Sequence, residues 1–243
     1  MSEREGCALV TGASRGIGAA VARGLAADGW PVAVNFRSRA EDADRVVAEI
    51  GDAGGRAFAV QADVVDPGAI EAMFAAAEER HRRVLVLVNN AGVARDNLSP
   101  AMTDEEWDDV IATDLSAAFR TTRRAVRGMM RARFGRIVNV ASVVALRANP
   151  GQANYAAAKA GLVAMTRTVA AEIARRGVTV NAVAPGLIET EMTAGLDSEL
   201  FQHIPARRAG RPDEVAAAVR FLASEAAGYV TGATLSVDGG LAA

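Results

Sequence analysis

Lysine is almost missing from this sequence: of 27 basic side chains in 243 residues, 26 are arginine and one, Lys159, is lysine. Cysteine occurs once. Cys7 therefore has no internal disulfide partner, and its place in the apolar run CALV reads as a buried strand residue, not a reactive thiol. Histidine occurs twice, at His81 and His203; two scattered imidazoles cannot build a zinc site, and both read as surface residues. No apolar run approaches the roughly 18 residues of a membrane span, so no membrane segment is expected. Basic charge is in no surplus either. A net charge of −2 and a pI near 5.8 argue against a nucleic-acid partner, and any acidic partner must be met by a local arginine patch. The start, MSEREGCALV, lacks the basic and long apolar segments of a signal peptide, so a cytoplasmic location is expected. Repeats, low-complexity tracts and linkers are also lacking, and 243 residues, 51% of them hydrophobic, suit one well-filled domain.

What the chain does have is alternation. The short apolar runs CALVTG, PVAVNF, RAFAVQ, VLVLVNN, RIVNVAS, VTVNAVAP and TLSVDGG are separated by helical patterns such as Ile111, Leu115, Ala118, Thr122 and Val126. Near-continuous strands joined by helix-sized connections predict a parallel sheet covered on both faces, a doubly wound α/β fold. The least regular stretch, about 187 to 211, is long for a connection, and loops of that length are often lids.

LVTGASRGIGAAVARGLA places Gly12, Gly16 and Gly18 where the first strand turns into a helix. Such a turn lets backbone approach a pyrophosphate while the helix N-terminus offers unpaired N–H groups. The spacing, G-x-x-x-G-x-G, differs from the commoner dinucleotide fingerprint. The same stretch spells GASRG, the G-x-S-x-G elbow of a hydrolase with Ser14 as nucleophile. That rival fails on context, because the elbow needs earlier strands and only one precedes residue 14. After the second strand come Asn35, Phe36, Arg37 and Ser38, with no acid until Glu41. An acid there would favour NAD(H); Arg37 with Arg15 favours a 2′-phosphate and hence NADP(H).

If 153 to 175 is a helix, Tyr155, Lys159, Leu162, Thr166, Val169 and Ile173 fall within roughly 40° of one line. The apolar members mark that line as inward, while Arg167 and Arg175 lie opposite. The single lysine thus sits one turn after a tyrosine at the start of a buried face. A nearby cation lowers a phenol's pKa from about 10 towards a working acid or base. A compact ammonium can touch a ribose and polarise a phenol together, which a flat guanidinium cannot. Ser142 ends the fifth strand thirteen residues earlier, and Asn89 to Gly92 and Ala184 to Gly186 also follow strands directly, at the carboxyl ends where such sheets bind ligands.

With TGASRGIG, NNAG, Ser142 with YAAAK, and APGLIETEMT, supported by RDNLSPAMTDEEWDDVI and YVTGATLSVDGG, the chain resembles the short-chain dehydrogenases/reductases from end to end, and within them the 3-oxoacyl-[acyl-carrier-protein] reductases. The resemblance implies one Rossmann-like domain over 1–243, with about seven strands, and an NADPH-dependent ketoreductase of fatty-acid or polyketide biosynthesis. It places Ile17 in the phosphate turn, Asp63 and Val64 near the adenine, Asn90, Ala91 and Gly92 beside the adenosine ribose, and Pro185, Gly186, Ile188 and Thr190 towards the nicotinamide. Tyr155 is implied as proton donor, Ser142 as orienting the carbonyl, and Lys159 as holding the nicotinamide ribose. Arg131, Arg133 and Arg176 are implied to dock an acidic acyl carrier protein. A homotetramer is implied, built on helices near 107 to 131 and 153 to 175, with a hetero-oligomer as alternative. The small residues Ala156, Ala157, Ala160 and Gly161 suit close helix packing. Two other functions stay open: reduction of free small carbonyl compounds, and a weakly active cofactor-binding partner of another reductase. One residue departs from the family. Asp114 stands where the resemblance implies an asparagine anchoring water behind the lysine, and a carboxylate on a buried stripe is expected to pair, directly or through water, with Lys159.

Overall fold

All seven apolar runs are strands: Cys7–Val10 (β1), Val32–Phe36 (β2), Ala57–Gln61 (β3), Val84–Asn89 (β4), Gly135–Val140 (β5), Val178–Pro185 (β6) and Thr234–Val237 (β7). The computed structural model describes residues 6–190 and 198–243. The strands form one parallel sheet in the order β3-β2-β1-β4-β5-β6-β7. The order reverses between β1 and β4, and such a switch point opens a crevice at the carboxyl edge. The helices are Gly16–Ala27 (α1), Ala40–Asp52 (α2), Pro67–His81 (α3), Asp104–Ile111 (α4), Ala117–Ala132 (α5), Ala153–Ile173 (α6) and Pro212–Ala223 (α7).

Alternation along each strand builds two cores. Val10, Val34, Val88, Val138 and Val183 face α1, α2 and α7, meeting Val21, Leu25, Val46, Ile50 and Val219. Leu9, Ala33, Leu87, Ile137 and Val180 face the other way, onto Met73, Phe74, Met129 and Ile173. Cys7 lies in this second core, and burial pushes its thiol up to about 12, so it is inert as the sequence suggests. His203 is exposed, but His81 is only partly so. Its ring lies 5.8 Å from Phe58, and burial and the nearby Arg56 and Arg80 disfavour its protonation.

The second core also holds a polar ladder. Asn89 donates to Asn139 Oδ1 at 2.8 Å and to Thr122 Oγ1 at 3.1 Å, and accepts from Thr121; Asn139 donates to Thr166 at 2.8 Å. Buried amides must be paired. Here their pairing fixes the height of α5 and α6 against β4 and β5, and so the position of whatever α6 carries.

Thr103 and Glu106 cap α4 reciprocally. Between α4 and α5, residues 112–116 form a π turn, which inserts one residue into the helical repeat. The buried stripe therefore runs through Val110, Asp114, Ala118, Thr122 and Met129, while Ile111, Leu115 and Val126 are only partly buried. The irregular stretch after β6 is tied down at its ends by a bridge between Ile188 and Gly210. Its middle, residues 191–197, lies outside the described residues, and the lid expectation falls there.

Candidate active site

At the carboxyl edge, β1 turns into α1 through Gly12 and Gly16, both at positive φ. Gly18 sits so close to this turn that a Cβ would strike the Gly12 carbonyl and lie 2.5 Å from Asn90 Nδ2. Asn90 knits the turn to β4: its amide donates to the Thr11 and Gly12 carbonyls at 2.9 and 3.0 Å, and its backbone N–H to Thr11 Oγ1 at 3.0 Å. Thr11 also accepts from Ala91. The N-terminus of α1 has no side-chain cap and no acid in its first turn, so its N–H groups remain available to an anion. Ser14 is buried in the turn, Ile17 partly buried and Arg15 exposed.

The residues after β2 divide. Arg37 and Ser38 are exposed at the edge. Asn35 is 1% exposed; its oxygen accepts from Gly12 N–H at 3.2 Å and its amide donates to Ala62 O at 3.1 Å and Val60 O at 3.3 Å. The structure thus gives Asn35 the work of bracing the glycine turn from below. Asp63 accepts from Val65 N–H beyond β3, and Val64 is buried beside it. Pro185 ends β6. Gly186 leaves room for Asp238, Ile188 is buried, and the Thr190 methyl comes within 3.5 Å of where a Gly16 Cβ would be.

On α6 the inward line predicted from the sequence is observed. Lys159, Leu162, Thr166 and Ile173 are buried, Tyr155 and Val169 partly so, and Arg167 and Arg175 face solvent. Asn154 anchors the start of the helix, donating to the carbonyls of Arg95 and Glu106 at 3.0 and 3.1 Å while accepting from Tyr155 N–H at 2.7 Å. Ser142, at the end of β5, accepts from Val144 N–H at 3.2 Å. Lys159 Nζ donates to Val140 O at 3.0 Å and lies 5.3 Å from the centre of the Tyr155 ring. It also lies 3.0 Å from Asp114 Oδ2, an ion pair made by proximity without the alignment of a full hydrogen bond. The other Asp114 oxygen accepts from Val93 N–H at 2.8 Å. A Cβ on Gly92 would stand 2.6 Å from Oδ2, so glycine is what admits the carboxylate. Burial works against the Lys159 charge, but Tyr155 and Asp114 outweigh it and hold the lysine pKa above its ordinary value.

Sequence reasoning brought these groups to one edge but missed several supports: Thr11, the Asn89–Asn139 pair and Asn154. A signal existed for the pair, since each asparagine interrupts an otherwise apolar strand. Arg131, Arg133 and Arg176 lie elsewhere, at the far ends of α5 and α6 on the amino edge. Of the small residues on α6, Ala157 and Ala160 are exposed, whereas Gly161 packs within the chain against Leu115.

A glycine turn at the switch point, with a serine at a strand end and a tyrosine and lysine one turn apart on α6, defines a dehydrogenase or reductase that works with a nicotinamide cofactor. The chain belongs to the short-chain dehydrogenase/reductase family: a family model described as enoyl-(acyl carrier protein) reductase matches residues 12–242. It is 50% identical over 236 residues to a 3-oxoacyl-[acyl-carrier-protein] reductase of Synechocystis sp., with 96% of each chain covered. A protein of the same name from Staphylococcus aureus is 48% identical over 238 residues (96% of this chain, 97% of that one), and one from Vibrio cholerae is 49% identical, with 96% of each covered. A solved structure from Agrobacterium tumefaciens, provisionally assigned as a gluconate dehydrogenase, superposes with a TM-score of 0.94 at 36% identity, covering 98% of this chain and 96% of its own. The shared fold spans several substrate names, so the substrate must be argued from the site. Among the described residues, no helix is long and apolar enough to cross a membrane.

Proposed function

We propose that this protein is an NADPH-dependent ketoreductase that converts a 3-oxoacyl thioester, carried on an acyl carrier protein, to the 3-hydroxyacyl thioester, in fatty-acid or polyketide biosynthesis in the cytoplasm. The observation that carries the reading is that Lys159 Nζ lies 5.3 Å from the centre of the Tyr155 ring and 3.0 Å from the carbonyl of Val140, two residues before Ser142 at the end of β5. The substrate reading rests on the names of relatives about half identical over nearly the whole chain.

The residues fit the cofactor. The uncapped start of α1 and the close Gly12–Gly18 approach suit a diphosphate, with Gly16 and Ile17 in the same turn. Arg15 and Arg37 at the surface suit a 2′-phosphate, beside Ser38 and above the braced Asn35. Asp63 and Val64 would border the adenine, Asn90 to Gly92 the adenosine ribose, and Pro185, Gly186, Ile188 and Thr190 the nicotinamide end. When bound, NADPH supplies the hydride. Tyr155 gives its phenolic proton to the carbonyl oxygen as that oxygen gains charge. Ser142 accepts from Val144 and so keeps its own hydroxyl proton to hold the same oxygen. Lys159 directs one N–H at Val140 O and lies beside the Asp114 carboxylate as an ion-pair partner, leaving donor capacity for ribose hydroxyls. Asp114, fixed by Val93, keeps the ammonium charged and in place.

In this reading the carrier docks near Arg131, Arg133 and Arg176, and the chain assembles as a homotetramer. A second reading, reduction of free small carbonyl compounds, is favoured by the solved neighbour described as acting on gluconate. The third, a weakly active partner subunit in a hetero-oligomer, is motivated by Asp114 at the place of an asparagine. One assay separates them: purified protein with NADPH and an acetoacetyl thioester, free and carrier-bound. Faster turnover of the carrier-bound form is expected. Equal use of NADH would defeat the cofactor assignment, preference for the free thioester would favour the second reading, and inactivity on both the third.

A further inference from the structure

We propose that the Asp114 carboxylate cancels most of the field that Lys159 would otherwise exert on the Tyr155 hydroxyl, so that Tyr155 keeps its proton, and the protein keeps reducing, to a more alkaline pH than asparagine at position 114 would allow. The effect on reduction rests on the preceding section's reading of Tyr155 as proton donor; the cancellation itself does not.

Burial makes the pair effective. Lys159 and Asp114 are 3% and 2% exposed, with Nζ 3.0 Å from Oδ2. Arg124 with Glu78 and Arg220 with Asp28, by contrast, leave a fifth or more of each side chain in water. Water screens those pairs, whereas a charge enclosed by protein acts on its neighbours with little screening. The ammonium lies 5.3 Å from the centre of the Tyr155 ring. A lone cation at such a distance favours a phenolate by about tenfold or more. With the carboxylate in contact, the phenol faces two charges that sum to zero. Three features hold the carboxylate there. The π turn at 112–116 puts position 114 on the buried line, Val93 N–H donates to Oδ1 at 2.8 Å, and Gly92 lacks the Cβ that would stand 2.6 Å from Oδ2. An amide oxygen could accept from Val93 equally well. What the carboxylate adds over asparagine is therefore its charge.

The other charged groups on the elements around Tyr155 are engaged at or near the surface. After β4, Arg95 pairs with Asp109 of α4 at 2.9 Å, and Asp96 accepts from Gln152 at 2.9 Å. Glu106 of α4 accepts from Thr103 N–H at 2.9 Å and from Asn97 at 3.2 Å. Between β5 and α6, Arg147 donates to Leu241 O at 3.0 Å, and after β6 Glu189 is exposed. Solvent screens each of these, so the buried pair dominates the field at the phenol.

The composition offers a direct test. The chain has two tyrosines, and the other, Tyr229, is fully exposed. In a Tyr229→Phe background, the near-ultraviolet difference absorbance of tyrosinate reports Tyr155 alone, with neither substrate nor cofactor present. There, Asp114→Asn should lower the pH at which the phenolate forms by about one unit, a tenfold change in proton concentration. Asp114→Asn/Lys159→Met removes both charges and should titrate close to the Tyr229→Phe parent, which tests the cancellation even where the single variant folds poorly. In kcat/KM for reduction of a free acetoacetyl thioester with NADPH, the alkaline fall should move down by a similar amount in Asp114→Asn. A phenolate that forms in Asp114→Asn at or above the parent's pH overturns the cancellation, as does a double variant that titrates well below the parent. A phenolate that moves while the alkaline fall stays in place upholds the cancellation and fails Tyr155 as the proton donor instead.

Discussion

The two edges of one sheet are built from the same strands and carry opposite kinds of chemistry. At the carboxyl edge the central charges are buried and braced: Lys159 and Asp114 lie against each other, Thr11 and Asn35 accept from the surrounding backbone N–H groups, and Asn90 and Asn154 donate to its carbonyls. At the amino edge Arg131, Arg133 and Arg176 are exposed and make no ion pair among the described residues. A buried charge acts strongly but must be compensated, whereas an exposed charge acts weakly and at long range. The difference explains the lone lysine. Arginine serves wherever a solvated cation suffices, and an ammonium survives only where three donors must fit into an enclosed space.

The largest effect should come from the carboxyl edge. Tyr155→Phe should lower kcat at least about 100-fold, in line with loss of a general acid, while NADPH binding followed by calorimetry persists. Loss of both would make Tyr155 a structural residue. Lys159→Met should remove activity and also strand the Asp114 carboxylate, costing about 3–5 kcal/mol in denaturant unfolding. Its pH dependence has a definite sign. The folded pKa of Lys159 is raised, so its stabilisation is complete below the unfolded value near 10.5 and is lost as pH rises through the folded value. Wild type should therefore weaken in strong alkali along a limb that Lys159→Met lacks. A smaller effect belongs to the open surface: Arg37→Asp should shift the NADPH-to-NADH preference by about tenfold through repulsion of the 2′-phosphate. Unmoved preference would leave Arg37 merely solvated. The smallest is expected from Asp114→Asn, where an amide oxygen can still accept from Val93. Here kcat should change by less than about tenfold, equivalent to about 1.4 kcal/mol. Vigorous activity in Asp114→Asn beside an inert wild type would replace the enzyme reading with the partner-subunit one.

Features that depend on local period were legible in the sequence. The seven strands and the inward line of α6 follow from spacing, while the pairing of Asp114 with Lys159 follows from the cost of a buried charge together with the resemblance that implies position 114 behind the lysine. Features that depend on register between distant strands were not. Asn35 lies at the end of a β run like any edge residue, and only the β2–β3 pairing shows its amide turned inward to Val60 and Ala62. His81 reads as polar surface, and only the fold lays it against Phe58. The stripe assigned to 111–126 holds at Ala118 and Thr122 but misses at Ile111 and Leu115, because nothing in ATDLS announces an extra residue.

That extra residue at 112–116 bears on how the protein could be engineered. A π turn is less stable than regular α-helix, so ATDLS would be an obvious target for raising thermal stability with better helix formers or by deleting one residue. Re-forming the turn as regular α-helix would rotate the segment before it by about 100° relative to α5, moving Asp114 off the line from which it reaches both Val93 and Lys159; deleting the extra residue would keep the flanks in phase but remake the turn that holds Asp114. The weakest stretch of the longest helical run is thus one that a designer should leave alone.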